Sequence, residues 1–146
     1  MSDTLPRVEI LSIIVCDDVR LEHNGKTILV GVYSDVSVAN FPVQLTLTFW
    51  TEFKVSVSGD IPVKFRIVGE IDDQLFLSGG MTVIAAVQDS ISSFAITAPL
   101  PLQVPTKLRY QLKQHNEEWV TVRSVSVAKG VPTSTSIARG VQFLGH

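Results

Sequence analysis

Hydrophobic and polar residues alternate with a period of two along most of this chain, and that period predicts strands rather than helices. In Gln44 to Phe53, Leu45, Leu47, Phe49 and Phe53 fall on one side and Gln44, Thr46, Thr48, Trp50 and Glu52 on the other, the pattern of a half-exposed strand. From Ile61 to Ile71 the inward set is Ile61, Val63, Phe65, Ile67 and Ile71, with Lys64, Arg66 and Glu70 outward. Lys107 to Lys113 alternates most regularly, placing Leu108, Tyr110 and Leu112 inside and Lys107, Arg109, Gln111 and Lys113 outside. A turn at Gln114 to Glu118 then leads into a return strand, Trp119 to Val127. No window carries the 3.6-residue period of an amphipathic helix, and no repeat of fixed length is present.

The first strand pair reads differently. Ile10 to Cys16 and Ile28 to Tyr33 are nearly continuous apolar runs, the pattern of strands covered on both faces at the centre of a core. Asn24-Gly25 between them predicts a tight hairpin of type I′. Asp17-Asp18 is the expected place for a bulge in so long a strand. Phe41-Pro42 redirects the chain, and Ser58-Gly59-Asp60 and Asp72-Asp73 supply turns. Gly79-Gly80 is expected to interrupt a strand between Leu77 and Met81. The run from Pro99 to Pro105 holds three prolines, so it belongs along an edge or across an end of a sheet.

Eight or nine short strands with turns about every ten residues predict an all-β domain, an antiparallel β-sandwich of immunoglobulin-like or jelly-roll kind. The sandwich is expected over residues 1–127. Residues 128–146 read as a C-terminal arm, polar and then apolar at Ile137, Val141, Phe143 and Leu144, which docks on its own sheet or on a neighbour's.

At 146 residues one core is large enough to fold without metal or disulfide. Although 45% of residues are hydrophobic and only 18% charged, polar residues break every apolar run well short of the roughly 20 needed for a spanning helix, so no membrane partner is expected. A formal charge of -2 gives no global reason to expect nucleic acid. The single Cys16 excludes an internal disulfide and any cysteine-built zinc site. Together with an N-terminus unlike a secretory signal, it predicts a cytoplasmic protein whose thiol is an inert core group.

The residues Cys16-Asp17-Asp18-Val19-Arg20, then Gly25-Lys26, then Leu29, Gly31, Val32 and Tyr33 form a pattern, C-D-D-V-R, G-K and L-x-G-V-Y. It resembles that of a family of small uncharacterised bacterial all-β proteins. The likeness extends through Phe41-Pro42 to about Val127. It implies an all-β domain of bacterial or phage origin and no agreed activity.

Catalytic chemistry finds little purchase. Asp17, Asp18, Glu22 and Asp35 are too few, and period two turns Asp17 away from Asp18, Arg20 and Glu22, so a charge ladder is expected in place of a calcium site. Asp17 is expected to bond a nearby backbone amide. No G-x-S-x-G elbow or phosphate loop is present, and His23, His115 and His146 stand at turns or at the end. No catalytic residue, metal ligand or cofactor is expected. The outward cations Lys64, Arg66, Lys107, Arg109 and Lys113, with Arg123 a further candidate, would form one basic face if their strands share a sheet. Trp50 could add an aromatic anchor to it. The function expected is therefore a non-enzymatic protein-interaction or assembly module, with a protein partner or self-association as a homo-oligomer. One alternative is a small-ligand or carbohydrate binding domain using Trp50 or the Gly79-Gly80 region. Another is an enzyme using Asp17 and Asp18.

Overall fold

The computed structural model describes residues 5–130. Nine strands form two facing sheets, with no α-helix among these residues. They are β1 (Val8–Leu21), β2 (Thr27–Tyr33), β3 (Val36–Val38), β4 (Val43–Val55), β5 (Gly59–Gly69), β6 (Leu75–Ala85), β7 (Ile91–Leu102), β8 (Thr106–Gln114) and β9 (Val120–Lys129). One sheet is antiparallel with the order β2-β1-β4-β7. The other, a curled half-barrel, has the order β3-β9-β8-β5-β6 and is mixed, because the short β3 lies parallel to β9. The all-β, two-sheet expectation holds, with that parallel pair added to an otherwise antiparallel set.

Alternation decides which side of each strand the core takes. Leu47, Phe49, Phe53 and Val55 of β4 meet Ile61, Val63 and Ile67 of β5 and Leu108, Tyr110 and Leu112 of β8 across the sandwich. Phe49 and Tyr110 pack with ring centroids 5.1 Å apart. Within the core the Thr51 and Tyr110 hydroxyls share a hydrogen bond of 2.9 Å, which satisfies both groups away from water.

Several local expectations are corrected. The centre is not the first hairpin: β2 is an edge strand, and its Val32 is 60% exposed. A continuous apolar run marks a strand without saying how many neighbours it has, and β2 pairs only with β1. Its turn is not type I′, because only Gly25 has positive φ (84°). The Gly25 amide donates to the Glu22 carbonyl, and Gly25 then occupies the left-handed position that ends a type I turn. The bulge in β1 lies at Leu11, between the Ile10–Phe53 and Ser12–Glu52 pairs, while the register runs unbroken past Asp17-Asp18. β6 is continuous through Gly79-Gly80. Gly79 serves a close approach instead, since a Cβ there would stand 2.6 Å from the Phe65 ring. Ile71 is 47% exposed, not inward, because β5 stops at Gly69 and a 3-10 turn, Ile71–Asp73, follows.

Pro99 and Pro101 lie on β7, at the outer edge of its sheet, where a missing donor is tolerated, and Pro105 lies in the link to β8. β9 continues through Ala128 and Lys129, and the Gly130 amide donates to the Val38 carbonyl. The remainder of the expected C-terminal arm lies outside the described residues.

Candidate functional site

β9, β8 and β5 are neighbours at the middle of the five-stranded sheet, so the outward positions of all three share one surface. Antiparallel register sets Lys64 directly opposite Lys113, Arg66 opposite Gln111, and Val68 opposite Arg109. Lys107 stands further along β8, opposite Ser126. The expected basic face is therefore assembled from Lys64, Arg66, Lys107, Arg109 and Lys113. Two lysines directly opposed cost stability, so Lys64 and Lys113 face each other against the packing interest of the sheet.

The aromatic group on this face is Trp119, not Trp50. Trp50 lies on β4 of the other sheet, opposite Ile14 and Ala95, and sequence alternation cannot say which sheet a strand joins. Trp119 immediately precedes β9. It places its ring 4.2 Å from the Arg66 guanidinium carbon and 5.9 Å from Lys113 Nζ. Thr121 pairs with the outward Gln111, and period two sets Trp119 on the same side. Val125 and Val127, of the same parity, point inward because a bulge at Val122 intervenes, so alternation alone did not give this placement.

A polar chain fixes Arg66. Its Nε donates to Gln111 Oε1 at 2.6 Å, and Gln111 Nε2 donates to Thr121 Oγ1 at 2.9 Å. Gln111 is only 8% exposed, so a residue expected simply to face solvent is instead the buried link of this chain. Arg109 donates through Nη2 to Asp73 Oδ1 at 2.6 Å and reaches the Gly69 carbonyl at 3.5 Å. Its buried Nε has no hydrogen-bond partner among the described residues. Arg66, Val68, Asp73, Leu75, Arg109 and Gln111 together line a depression of about 320 Å³. A second, more open depression of about 330 Å³ lies beside it, bounded by Lys64, Phe65, Ser78, Gly79, Gly80 and Trp119.

Arg123 does not join this face. A bulge at Val122 shifts the register between the Tyr110–Arg123 and Gln111–Thr121 pairs. The guanidinium turns instead to the Ser34 and Tyr33 carbonyls, at 2.9 and 3.4 Å, and ties β9 to the link after β2.

The aspartates of β1 are engaged in structure. Asp18 accepts from the Val19 amide at 2.9 Å and pairs with Arg20 at 3.3 Å, the first rung of the expected ladder. Asp17 accepts from the Tyr33 hydroxyl at 2.6 Å, a side chain rather than the expected backbone amide. That bond, with burial, holds the Tyr33 phenol above its ordinary range. Gly31, at φ 68°, makes room for it: a Cβ there would stand 2.2 Å from Asp17 Oδ2. Asp17, Gly31 and Tyr33, three residues of the sequence pattern noted above, thus form one locking contact between β1 and β2. Among the described residues no cluster of His, Cys, Asp and Glu is arranged to hold a metal ion. Cys16 is fully buried, and burial is the first cause of its raised pKa.

These features define a two-sheet all-β domain with a basic, tryptophan-flanked face on its mixed sheet. The chain belongs to a family of unknown function, DUF6941, which matches residues 11–126. No curated protein matches it.

Proposed function

We propose that this domain is a non-enzymatic protein-interaction module whose docking surface is the outward face of β5, β8 and the start of β9. The observation that carries this reading is the convergence of Lys64, Arg66 and Lys113 around Trp119, with Arg109 further along β8 on the same face, in a chain of net negative charge. A half-buried guanidinium held over an indole ring presents an anchor of the kind that dominates binding energies at interfaces. Gln111 holds that anchor in one geometry, which lowers the ordering cost of association. Cytoplasmic residence in a bacterial or phage-infected cell is part of the same reading, supported by a lone buried thiol with no disulfide partner and by the sequence pattern. Self-association through this face would have to overcome its like charge, so a different, acidic protein is the partner proposed.

The test uses the opposed lysines. Lys64→Glu turns a repulsive cross-strand pair into an attractive one, so the variant should be as stable as the native chain or more so, by up to about 1 kcal/mol. The native protein and this variant would be used to capture partners from the host, and each partner would then be purified and its affinity measured directly. Loss of a measured interaction in a variant that is no less stable supports the docking face. Equal affinity in both forms refutes it.

A second reading has one observation in its favour. The open depression beside Trp119 joins an aromatic ring to exposed glycine backbone, a combination that suits a sugar or other small ligand. A glycan and metabolite screen read by Trp119 fluorescence would decide it, with Trp119→Leu as the control.

A further inference from the structure

The depression between β5, β8 and the turn after β5 carries more information than a general basic surface. Two guanidiniums, Arg66 and Arg109, line it, with only one carboxylate, Asp73. The two arginines are held differently. Arg66 is clamped from two sides, through Nε to the buried Gln111 and by the Trp119 ring, and among the described residues its terminal Nη groups make no hydrogen bond. Arg109 is engaged at Nη2 by Asp73, while its Nε is shielded from water and unpaired. A planar fork of this kind matches a carboxylate in two-point geometry, which a lysine could not do.

Asp73 is the informative neighbour. It lies in the 3-10 turn with φ 50°, next to Asp72 at φ 54°, and its side chain is 81% exposed. A carboxylate on a short exposed turn is a weak holder of its arginine, because water and salt screen such pairs. Its geometry already shows what the site accepts, a carboxylate oxygen at 2.6 Å from a guanidinium nitrogen. Leu75 and Val68 add an apolar wall that suits the methylene stem of an acidic side chain.

We infer that this depression receives an aspartate or glutamate carboxylate of the partner protein, and that Asp73 is an internal competitor which the partner displaces from Arg109. This assignment rests on the interaction reading above and names the group recognised. A protein carboxylate is favoured over a free acid because the surface continues past the depression to Trp119, Lys113 and Lys64, more than a small anion would touch. Phosphate is disfavoured because a dianion would meet Asp73 with greater repulsion.

An isotope-labelled sample of the full chain would be titrated with a short glutamate-rich peptide, and separately with glutarate and with inorganic phosphate. The peptide should shift the Arg66 and Arg109 Nε–H signals and the Gln111 side-chain amide saturably, and bind more tightly than either small anion. Asp73→Asn should tighten peptide binding about twofold to fivefold, the range for removing an exposed competing pair. Arg66→Gln should weaken it about tenfold or more. Arg66→Lys, which keeps the charge but not the fork, should fall between, and guards against a folding defect in the first variant. Peptide affinity unmoved by Asp73→Asn and by both Arg66 variants would overturn the site while leaving the docking face standing. Glutarate or phosphate binding as tightly as the peptide would overturn the protein source, and absence of any saturable shift would overturn the site outright. The docking face itself stands or falls separately, on the Lys64→Glu comparison with the captured partner.

Discussion

The Thr51–Tyr110 hydrogen bond makes a strong prediction, because it is a fully buried polar link between the two sheets. Both residues are fully buried, and each hydroxyl has the other as its partner at 2.9 Å. Tyr110→Phe removes one oxygen with little change of shape and leaves the Thr51 hydroxyl buried without a partner. The cost is the desolvation of that group, about 1 to 3 kcal/mol. Thr51→Val has the same consequence for the tyrosine, with a similar cost. The double variant leaves neither group unsatisfied and should lie within about 1 kcal/mol of the native protein. The two losses are therefore strongly non-additive, with a coupling of at least about 1 kcal/mol, as expected for residues in direct contact. Urea unfolding of all four proteins, followed by tryptophan fluorescence and checked for a constant m value, measures this directly. Singles that each cost under about 0.5 kcal/mol, or a double variant equal to their sum, would refute the reasoning, since the smallest expected burial penalty exceeds that.

The same tyrosine predicts a pH response. Burial, partly offset by the Thr51 bond, pushes its pKa up to about 12, so in the unfolded chain, which ionises near 10, the proton is lost first. Its contribution is thus complete below pH 10 and is lost between about pH 10 and 12. Stability of the native protein should fall over that window by about 2 to 3 kcal/mol more than that of Tyr110→Phe. Gly31→Ala should cost about 2 to 3 kcal/mol by combining a left-handed penalty with eviction of Asp17 from Tyr33. In an Asp17→Ala background the same change should cost only about 1 to 2 kcal/mol, and equal costs in thermal melts would exclude the contact. Gly79→Ala should force the Phe65 ring to move and cost about 1 to 3 kcal/mol, a loss that Phe65→Leu, with its smaller side chain, should reduce. Cys16 should react with a thiol reagent only as fast as the protein opens, because its thiol is buried and its pKa raised; rapid labelling of native protein would contradict this placement.

What was legible in the sequence follows from period two. A strand's inner and outer sides depend only on alternation, so Leu108, Tyr110 and Leu112 were assignable to the core and Lys107, Arg109 and Lys113 to the surface before any fold was known. Turn residues and prolines likewise report local backbone needs, which is why the edge placement of Pro99 and Pro101 and the turn at Asp72-Asp73 were readable. Pairing is a long-range choice that no local pattern carries. It decided that β2 is an edge rather than a centre, that Trp50 and the basic strands occupy different sheets, and that Trp119 meets Arg66. Bulges add the remaining uncertainty, because one extra residue reverses every later side: Val122 turns Arg123 away from the face to which alternation assigned it. The sequence by itself determined that the chain is built of strands and, between bulges, which side of each faces the core. Only the tertiary structure decided which outward residues share a surface, because contacts between strands are set by packing across the whole domain, and with them the place of Gln111 and Asp73 in the candidate site.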